Sequence, residues 1–132
     1  MICAASMLIL FMSGPPDDVP DSIIYAIAMR ESGYDWSPGM LRHIVRVSST
    51  GDVSPWQISP AVIRDLKANK ARARTDARYA ESLARRWLAH LFQVTRSWRQ
   101  ALAAYHAGLQ ARQTPRAQAY ADQCLNLAAL YH

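Results

Sequence analysis

The sequence has few of the residues that mark fibrous, low-complexity or metal-rich proteins. Among 132 residues there are two cysteines, five glycines and seven prolines, which excludes collagen-like and low-complexity chains. Only 19% of the residues are charged, whereas 51% are apolar. A chain of this size and composition predicts a single globular domain with a substantial hydrophobic core.

Long apolar runs are also few. Residues 1–13 are nearly all apolar, but a transmembrane helix needs roughly 20 such residues, so no transmembrane helix is predicted. They resemble the apolar middle of a secretion signal, yet no Lys or Arg precedes them. We interpret this segment as a retained hydrophobic helix that packs on the domain, residues 14–132, or docks on a partner protein. An uncleaved signal-anchor is the second interpretation.

Acidic residues are outnumbered by basic ones. Ten Asp or Glu stand against 15 Lys or Arg, which gives a net charge of +5. This excess suits an anionic partner, such as nucleic acid, an acidic glycan or a lipid headgroup, without choosing among them. A local basic run contains Arg64, Lys67, Lys70, Arg72, Arg74 and Arg78. Because the run lacks helix-turn-helix spacing and interleaved aromatic residues, nucleic acid is an alternative and not the expected partner.

The two cysteines, Cys3 and Cys124, lie at opposite ends of the chain. A single disulfide and two buried free thiols both fit this placement, and the sequence does not decide between them. No CxxC pair and no cluster of Cys and His has metal-ligand spacing. The sequence therefore implies no metal and no cofactor.

Apolar residues at three- and four-residue spacing predict a mainly α-helical chain. The predicted helices cover residues 22–31 with Asp21 as cap, residues 61–70, a longer helix from a Thr75 cap to about Phe92, a helix from Ser97 to Ala107, and a last helix opened by Thr114 and Pro115. Ser97 and Gln100 form a capping-box pattern, and Gly108 is a typical helix end. Ile44, Val45 and Val47 predict a short strand, and residues 48–55 a turn.

Glu31 is the most informative single residue. It is one of only two glutamates, and it follows Ile27 by four residues and Ile23 by eight, so it belongs to the same helix stripe. A carboxyl group at the end of a buried stripe is favoured in its neutral form, which is the form a general acid needs. A helix that ended at Arg30 would instead leave Glu31 in water.

Three short motifs carry a resemblance to a known family. They are IIYAIAMRESGYDWSP around Glu31, SSTGDVSPWQISP in the middle of the chain, and ALAAYHAG near residue 105. In this order they resemble the catalytic-helix, Gly-Leu-Met-Gln-Ile and Ala-Ala-Tyr-Asn-Ala-Gly motifs of the lysozyme-like lytic transglycosylases, a superfamily shared with goose-type lysozyme. The resemblance covers residues 20 to about 131.

The resemblance implies a mainly α, lysozyme-like single domain that binds a peptidoglycan glycan strand. It implies cleavage of the β-1,4 bond between N-acetylmuramic acid and N-acetylglucosamine, with Glu31 first as acid and then as base. The product would carry a 1,6-anhydro end, and a second carboxylate is not required, unlike in most glycosidases. A bacterial periplasmic enzyme and a phage-encoded, virion-associated one both fit, and the apolar segment 1–13 favours the phage setting.

The same resemblance implies several substrate contacts. Ser32 matches the serine that follows the catalytic glutamate, Gln57 matches the glutamine of the second motif, and Tyr105 matches the tyrosine of the third. The Tyr105 hydroxyl group is expected to point at Glu31. The alternative for each is an ordinary structural side chain: a helix-end hydroxyl, a loop-satisfying amide and a core aromatic ring.

The motifs also depart from the family pattern. Ser54, Pro55 and Trp56 replace Gly-Leu-Met, and we expect Ser54 and Trp56 to shape the sugar site, with Trp56 either stacking on a sugar ring or buried. His106 replaces the family's asparagine, so a substrate contact at this position would have a different hydrogen-bonding geometry. The alternative is an ordinary surface histidine. Asp52 stands where many members have a neutral residue.

Asp52 opens an alternative reaction. A carboxylate that reached the cleft from this loop would activate water and make the protein a hydrolysing muramidase, whereas a loop aspartate more commonly bonds its own backbone. A second alternative is a non-catalytic structural protein that retains the lysozyme-like fold, because a fold does not fix a function. A separate alternative is a small helical nucleic-acid binder that uses the basic run; in an enzyme the same run would instead face the carboxylates of peptidoglycan peptide stems.

Overall fold

The computed structural model describes residues 18–32 and 46–131. Within these ranges the chain forms the helices α1 (Asp21–Ser32), α2 (Pro60–Asp65), α3 (Lys70–Ala73), α4 (Ala77–Thr95), α5 (Trp98–Ala107) and α6 (Pro115–Ala128), the strands β1 (Arg46–Val47) and β2 (Val53–Ser54), and a final 3-10 turn (Ala129–Tyr131). The predicted mainly α architecture is confirmed. The predictions for residues 1–13, Cys3, Ile44 and Val45 lie outside the described residues.

The core is formed by one face of each long helix. Helix α6 packs on both α5 and α1, and α4 packs on α5. Their facing side chains are fully buried, among them Ile24, Ile27, Leu83, Leu88 and Leu102. Each such side chain contributes about 1.5–3 kcal/mol by its removal from water. The helical spacing seen in the sequence therefore corresponds to one continuous core.

Two predicted helix starts are confirmed by their caps. The Ser97 hydroxyl group accepts a hydrogen bond from the Gln100 N–H at 3.2 Å, and the Thr114 hydroxyl group accepts one from the Ala117 N–H at 3.3 Å. The capping box is half formed, because the Gln100 amide oxygen accepts from Gln113 instead of returning to Ser97. Helix α5 ends at Gly108, as predicted.

The Thr75 cap was wrong by one residue. Helix α4 begins after Asp76, whose carboxylate accepts a hydrogen bond from the Tyr79 N–H at 3.1 Å. This bond holds the pKa of Asp76 below its usual value. The Thr75 hydroxyl group instead donates back to the Ala71 carbonyl oxygen at 3.0 Å. A carboxylate is a strong helix cap, and Asp76 directly follows Thr75 in the sequence.

The single helix predicted over residues 61–70 was also wrong. Helix α2 stops at Asp65, and Lys67 adopts a left-handed backbone with φ 53°, which a right-handed helix cannot contain. A new helix begins when the Asn69 side chain accepts a hydrogen bond from the Arg72 N–H at 2.9 Å. The result is a bent, basic connection that leads from α2 to α4.

A short hairpin lies between α1 and α2. Strands β1 and β2 pair antiparallel, with Arg46 opposite Ser54 and Val47 opposite Val53. The turn is closed by the Gly51 N–H, which donates to the Ser48 carbonyl oxygen at 2.9 Å, and Gly51 has φ 86°, a conformation that favours glycine. The predicted turn thus begins as expected, but Val53 and Ser54 form a strand within it.

Helix α1 is fastened to α4 by one buried arginine. Arg85 is 8% exposed, and its guanidinium group donates to the Val19 carbonyl oxygen at 3.0 Å and to the Asp21 carboxylate. A third bond joins it to Glu81 at 3.3 Å. Since buried charges are costly unless they are paired, these bonds fix the start of α1 against α4.

Candidate active site

Glu31 lies in the last turn of α1 and is half-buried. The helix does not end at Arg30 but continues to Ser32. Ile23 and Ile27, on the same stripe, are buried in the core. Periodicity in the sequence therefore placed Glu31 correctly at the edge of the core.

A cleft of about 350 Å³ opens beside Glu31. It is lined by Glu31, Asp52, Gln57, Ile58, Ser59, Val62, Trp87, Tyr105 and His106. Five of these side chains are residues that the sequence singled out, and they come from α1, the hairpin, the turn before α2, and α5. The polar groups face an apolar wall formed by Ile58, Val62 and Trp87, a mixture typical of small-ligand clefts.

Tyr120 is the hydrogen-bond partner of Glu31. Its hydroxyl group donates to Glu31 Oε1 at 2.8 Å, and its ring is 2% exposed in α6. Burial is the largest cause that raises the pKa of Tyr120 well above its usual value, and the neighbouring acidic groups of Cys124 and Glu31 raise it further. The phenol therefore stays protonated and remains a donor. Within the described parts of the chain, Glu31 Oε2 has no hydrogen-bond partner.

The structure decides between the predicted roles of two aromatic residues. Trp56 is 0% exposed, and its Nε1–H donates to the Ile24 carbonyl oxygen at 3.2 Å, so burial, and not stacking on a sugar ring, is the outcome for this residue. Tyr105 lines the cleft, but its hydroxyl group donates to the Trp56 carbonyl oxygen at 2.7 Å, not to Glu31 as expected. Trp56 thus links α1 to α5, directly before the cleft residue Gln57 in the chain.

Gln57 reaches the cleft through an unusual backbone. It has φ 54°, a left-handed conformation that a side chain other than glycine adopts at a cost. The turn that contains it is closed by two bonds between Val53 and Ile58, at 2.8 and 2.9 Å. The paired hairpin and the buried Trp56 therefore hold Gln57 where its side chain lines the cleft.

His106 and Asp52 both line the cleft. The exposed His106 ring stacks on Tyr120, with ring centroids 4.4 Å apart and planes at 14°. The Asp52 carboxylate accepts a hydrogen bond from the Thr50 hydroxyl group at 3.1 Å, and the Asp52 N–H donates to the Ser48 hydroxyl oxygen at 3.0 Å. Asp52 is therefore fixed within its turn while it also lines the cleft.

The two predicted serines contribute differently. The Ser32 hydroxyl group donates to the Ala28 carbonyl oxygen at 2.6 Å, one turn earlier in α1, and the described lining of the cleft does not include Ser32. The prediction for the Ser54 side chain lies outside the described residues. Its backbone pairs with Arg46 in the hairpin.

Tyr120 and Trp87 were missed as site residues. Tyr120 lies between Ala117 and Cys124 on the buried stripe of α6, so helical spacing could have placed it in the interior, although not against Glu31. Trp87 packs against the core from α4, and it also lines the cleft and stacks on His90 with ring centroids 5.3 Å apart. Neither residue belongs to the three motifs.

No group of three or more His, Cys, Asp or Glu side chains could hold a metal ion in the described ranges. None of the helices in this part of the chain is both long and apolar enough to span a membrane.

A comparison with protein-family models gives one match, to the transglycosylase SLT domain, over residues 12–127. The chain belongs to the transglycosylase SLT domain family. No curated protein and no solved structure matches it. The match covers helices α1 to α5, helix α6 as far as Leu127, and every residue that lines the cleft.

Membership of the SLT domain family indicates lytic-transglycosylase-type cleavage of peptidoglycan in general. The mainly helical fold agrees with the lysozyme-like architecture of the family. Because the SLT domain match spans both ends of the cleft, Glu31 from α1 and Tyr105 from α5 lie in the same family domain.

Proposed function

We propose that this chain is a lytic transglycosylase that cleaves the β-1,4 bond between N-acetylmuramic acid and N-acetylglucosamine, with Glu31 as acid and base. The observation that supports it most directly is the cleft in which Glu31 Oε1 accepts a hydrogen bond from Tyr120. That bond orients the carboxyl group and leaves Oε2 to exchange a proton with substrate. Gln57, Tyr105 and His106 line the same cleft and offer polar contacts to a sugar chain.

The reaction needs two proton transfers through the same carboxyl group. Protonated Glu31 donates its proton to the glycosidic oxygen while the bond from that oxygen to C1 of the muramoyl sugar breaks. The ionised Glu31 then takes the proton of the muramoyl C6 hydroxyl group as that oxygen forms a bond to C1. Glu31 returns to its protonated form, and the glycan carries a 1,6-anhydro end. No metal and no cofactor enter this scheme.

The apolar wall of the cleft suits the same substrate. Pyranose rings have C–H faces that pack against aromatic and aliphatic groups, and Val62 and Trp87 provide such a surface beside the polar groups. Trp87, rather than the buried Trp56, is therefore the aromatic contact for a sugar ring in this proposal. The setting that supplies the substrate is the cell wall, reached from the bacterial periplasm or from a phage particle.

Glu31→Gln tests the proposal. The amide keeps an oxygen for the Tyr120 hydroxyl group but cannot donate an acidic proton, so lysis of purified sacculi should fall by at least about a hundredfold. Thermal unfolding should show equal or higher stability. Asp122→Asn, the same chemical change at an exposed position on α6, should leave lysis unchanged. Full lysis by Glu31→Gln would contradict the proposal, and a wild type without lysis would favour the non-catalytic alternative.

Hydrolysis is a second candidate because Asp52 lines the cleft with Glu31. A carboxylate there can position a water molecule for attack at C1, as in a muramidase. Mass analysis of the released fragments separates the two reactions, since anhydro ends are lighter than reducing ends by one water molecule. Anhydro ends are expected, and reducing ends that disappear in Asp52→Asn would overturn the transglycosylase assignment in favour of hydrolysis.

A further inference from the structure

Residues 64–78, the basic segment, carry nearly all of the excess charge of the chain. They contain six Lys or Arg and two Asp, so their net charge is +4, against +5 for all 132 residues. The six basic side chains are all exposed: Arg64, Lys67, Lys70, Arg72, Arg74 and Arg78. A net charge concentrated in 15 residues creates a local positive potential that an evenly spread charge would not.

Most of these cations are available to a partner. Arg64 pairs with Asp65 at 3.8 Å and Arg72 with Asp76 at 3.4 Å, both at the surface. Within residues 18–32 and 46–131, the other four cations form no ion pair: Lys67, Lys70, Arg74 and Arg78. Their charges are therefore not neutralised by this part of the chain.

The basic segment is held in place by α4. The Tyr79 hydroxyl oxygen accepts a hydrogen bond from the Asn69 N–H at 2.8 Å, and the Arg72 guanidinium group lies over the Tyr79 ring, 4.4 Å from its centroid. Arg86 donates to the Leu66 carbonyl oxygen at 3.1 Å. A segment that is already ordered loses less conformational entropy when it binds.

The basic segment also adjoins the cleft. Helix α2, which leads into it, contributes Val62 to the cleft wall, preceded by Ser59. At its other end, Arg74 Nη2 would lie 3.9 Å from a Cβ atom added to Gly51, the residue before Asp52. The positive surface therefore begins where the cleft wall ends, on the side of α2 and the hairpin turn.

We propose that the basic segment binds the carboxylates of the peptide stems on the glycan strand that occupies the cleft. This inference rests on the proposed function, which places a peptidoglycan strand beside α2. Stems are amide-linked to the lactyl groups of the muramoyl sugars and carry several carboxylates, whereas the backbone of a stem-bearing strand has no charged groups of its own. Exposed cation–carboxylate contacts are individually weak, so several must act together, and salt should weaken them.

The test compares two charge-reversal variants of the full chain in the Glu31→Gln background. Lys70→Glu/Arg78→Glu changes unpaired cations of the basic segment, and Arg96→Glu/Arg116→Glu makes the same change in net charge at exposed positions elsewhere. Binding is measured on glycan strands that carry stems and on chito-oligosaccharides, which are neutral stem-free strands with the same β-1,4-linked backbone. The first variant should bind stem-bearing strands about tenfold more weakly and stem-free strands normally. The second should bind both normally.

Equal binding of stem-bearing strands by both variants would overturn the proposal, as would an equal loss on stem-free strands. Tighter binding of a duplex DNA oligonucleotide than of stem-bearing glycan, with a steep salt dependence, would assign the basic segment to nucleic acid instead. The assay requires no cleavage, so a failure of the proposed reaction is read separately, from the lysis experiment. Stem-dependent binding without lysis by the wild type would support this inference and reject the catalytic one.

Discussion

At the scale of single residues, Glu31 depends on one neighbouring hydroxyl group for its orientation. Tyr120 donates to Oε1, and the His106 ring covers the face of the Tyr120 ring. In the proposed reaction the tyrosine does not exchange a proton with substrate. It acts as a positioning residue, because it fixes which oxygen of Glu31 faces the cleft.

Tyr120→Phe should lower kcat for lysis of sacculi by about ten- to a hundredfold, the effect of one hydrogen bond to a charged group, with little change in KM. The phenyl ring keeps the stacking contact with His106. Tyr79→Phe removes a hydroxyl group that bonds a backbone N–H away from the cleft and should leave kcat unchanged. An unaltered kcat in Tyr120→Phe would show that Glu31 needs no such partner.

The aromatic residues show where sequence reasoning stopped. Trp56 and Trp87 both follow or precede apolar residues. The local sequence therefore does not distinguish an indole ring that is buried from one that lines a cleft. The distinction arises from tertiary packing, because the Ile24 carbonyl oxygen accepts a hydrogen bond from the Trp56 Nε1–H. Likewise, Tyr105 and Tyr120 are both near Glu31. The Tyr105 hydroxyl group bonds to the Trp56 carbonyl oxygen instead, because the folded hairpin brings that oxygen within reach.

At the scale of elements, caps and periodicity predicted most of the helices. Ser97, Thr114 and Gly108 marked true helix ends because their side chains or backbone satisfy terminal groups locally. The break between α2 and α3 carried no equally strong signal, since Lys67 is an unexpected residue for a left-handed backbone. The cleft brings together distant residues, and only the three motifs in the sequence, not the periodicity, indicated their proximity.

Arg85 is the element-scale test of how α1 is held. Arg85→Met keeps the aliphatic bulk but leaves the buried Val19 carbonyl oxygen without its donor and Asp21 without its partner, which should lower the free energy of unfolding by about 1–3 kcal/mol. Arg99→Met breaks an exposed pair with Asp122 and should cause a clearly smaller change. Urea denaturation of both variants measures the difference. Equal losses of unfolding free energy would contradict the role of Arg85 in holding α1 against α4.

At the scale of the whole molecule, α5 and α6 together carry weakly acidic groups that the fold holds in neutral form. Burial raises the pKa of the free Cys124 thiol from 9.0 to about 12 and raises that of Tyr105 and Tyr120 well above 10.0. The folded protein keeps these protons at pH values where the unfolded chain releases them. Stability should therefore be complete below pH 9 and decline as the pH rises toward 12.

Urea denaturation at a series of pH values between 7 and 11 checks this expectation. Each such group lowers the free energy of unfolding by up to about 1.4 kcal/mol per pH unit within its window. Cys124→Ala should reduce the decline between pH 9 and 10, where the thiol is the largest single contributor. A constant stability from pH 8 to 11 would show that the unfolded chain retains the same protons.

The left-handed backbone at Gln57 limits which sequences can build this cleft. Valine, isoleucine and threonine are strongly disfavoured at such a φ, whereas glycine, asparagine and aspartate tolerate it. A mutational library at this position should therefore lose β-branched variants through misfolding before any selection on sugar chemistry begins. The amide at the cleft is thus one of very few polar groups that the turn could have evolved to present.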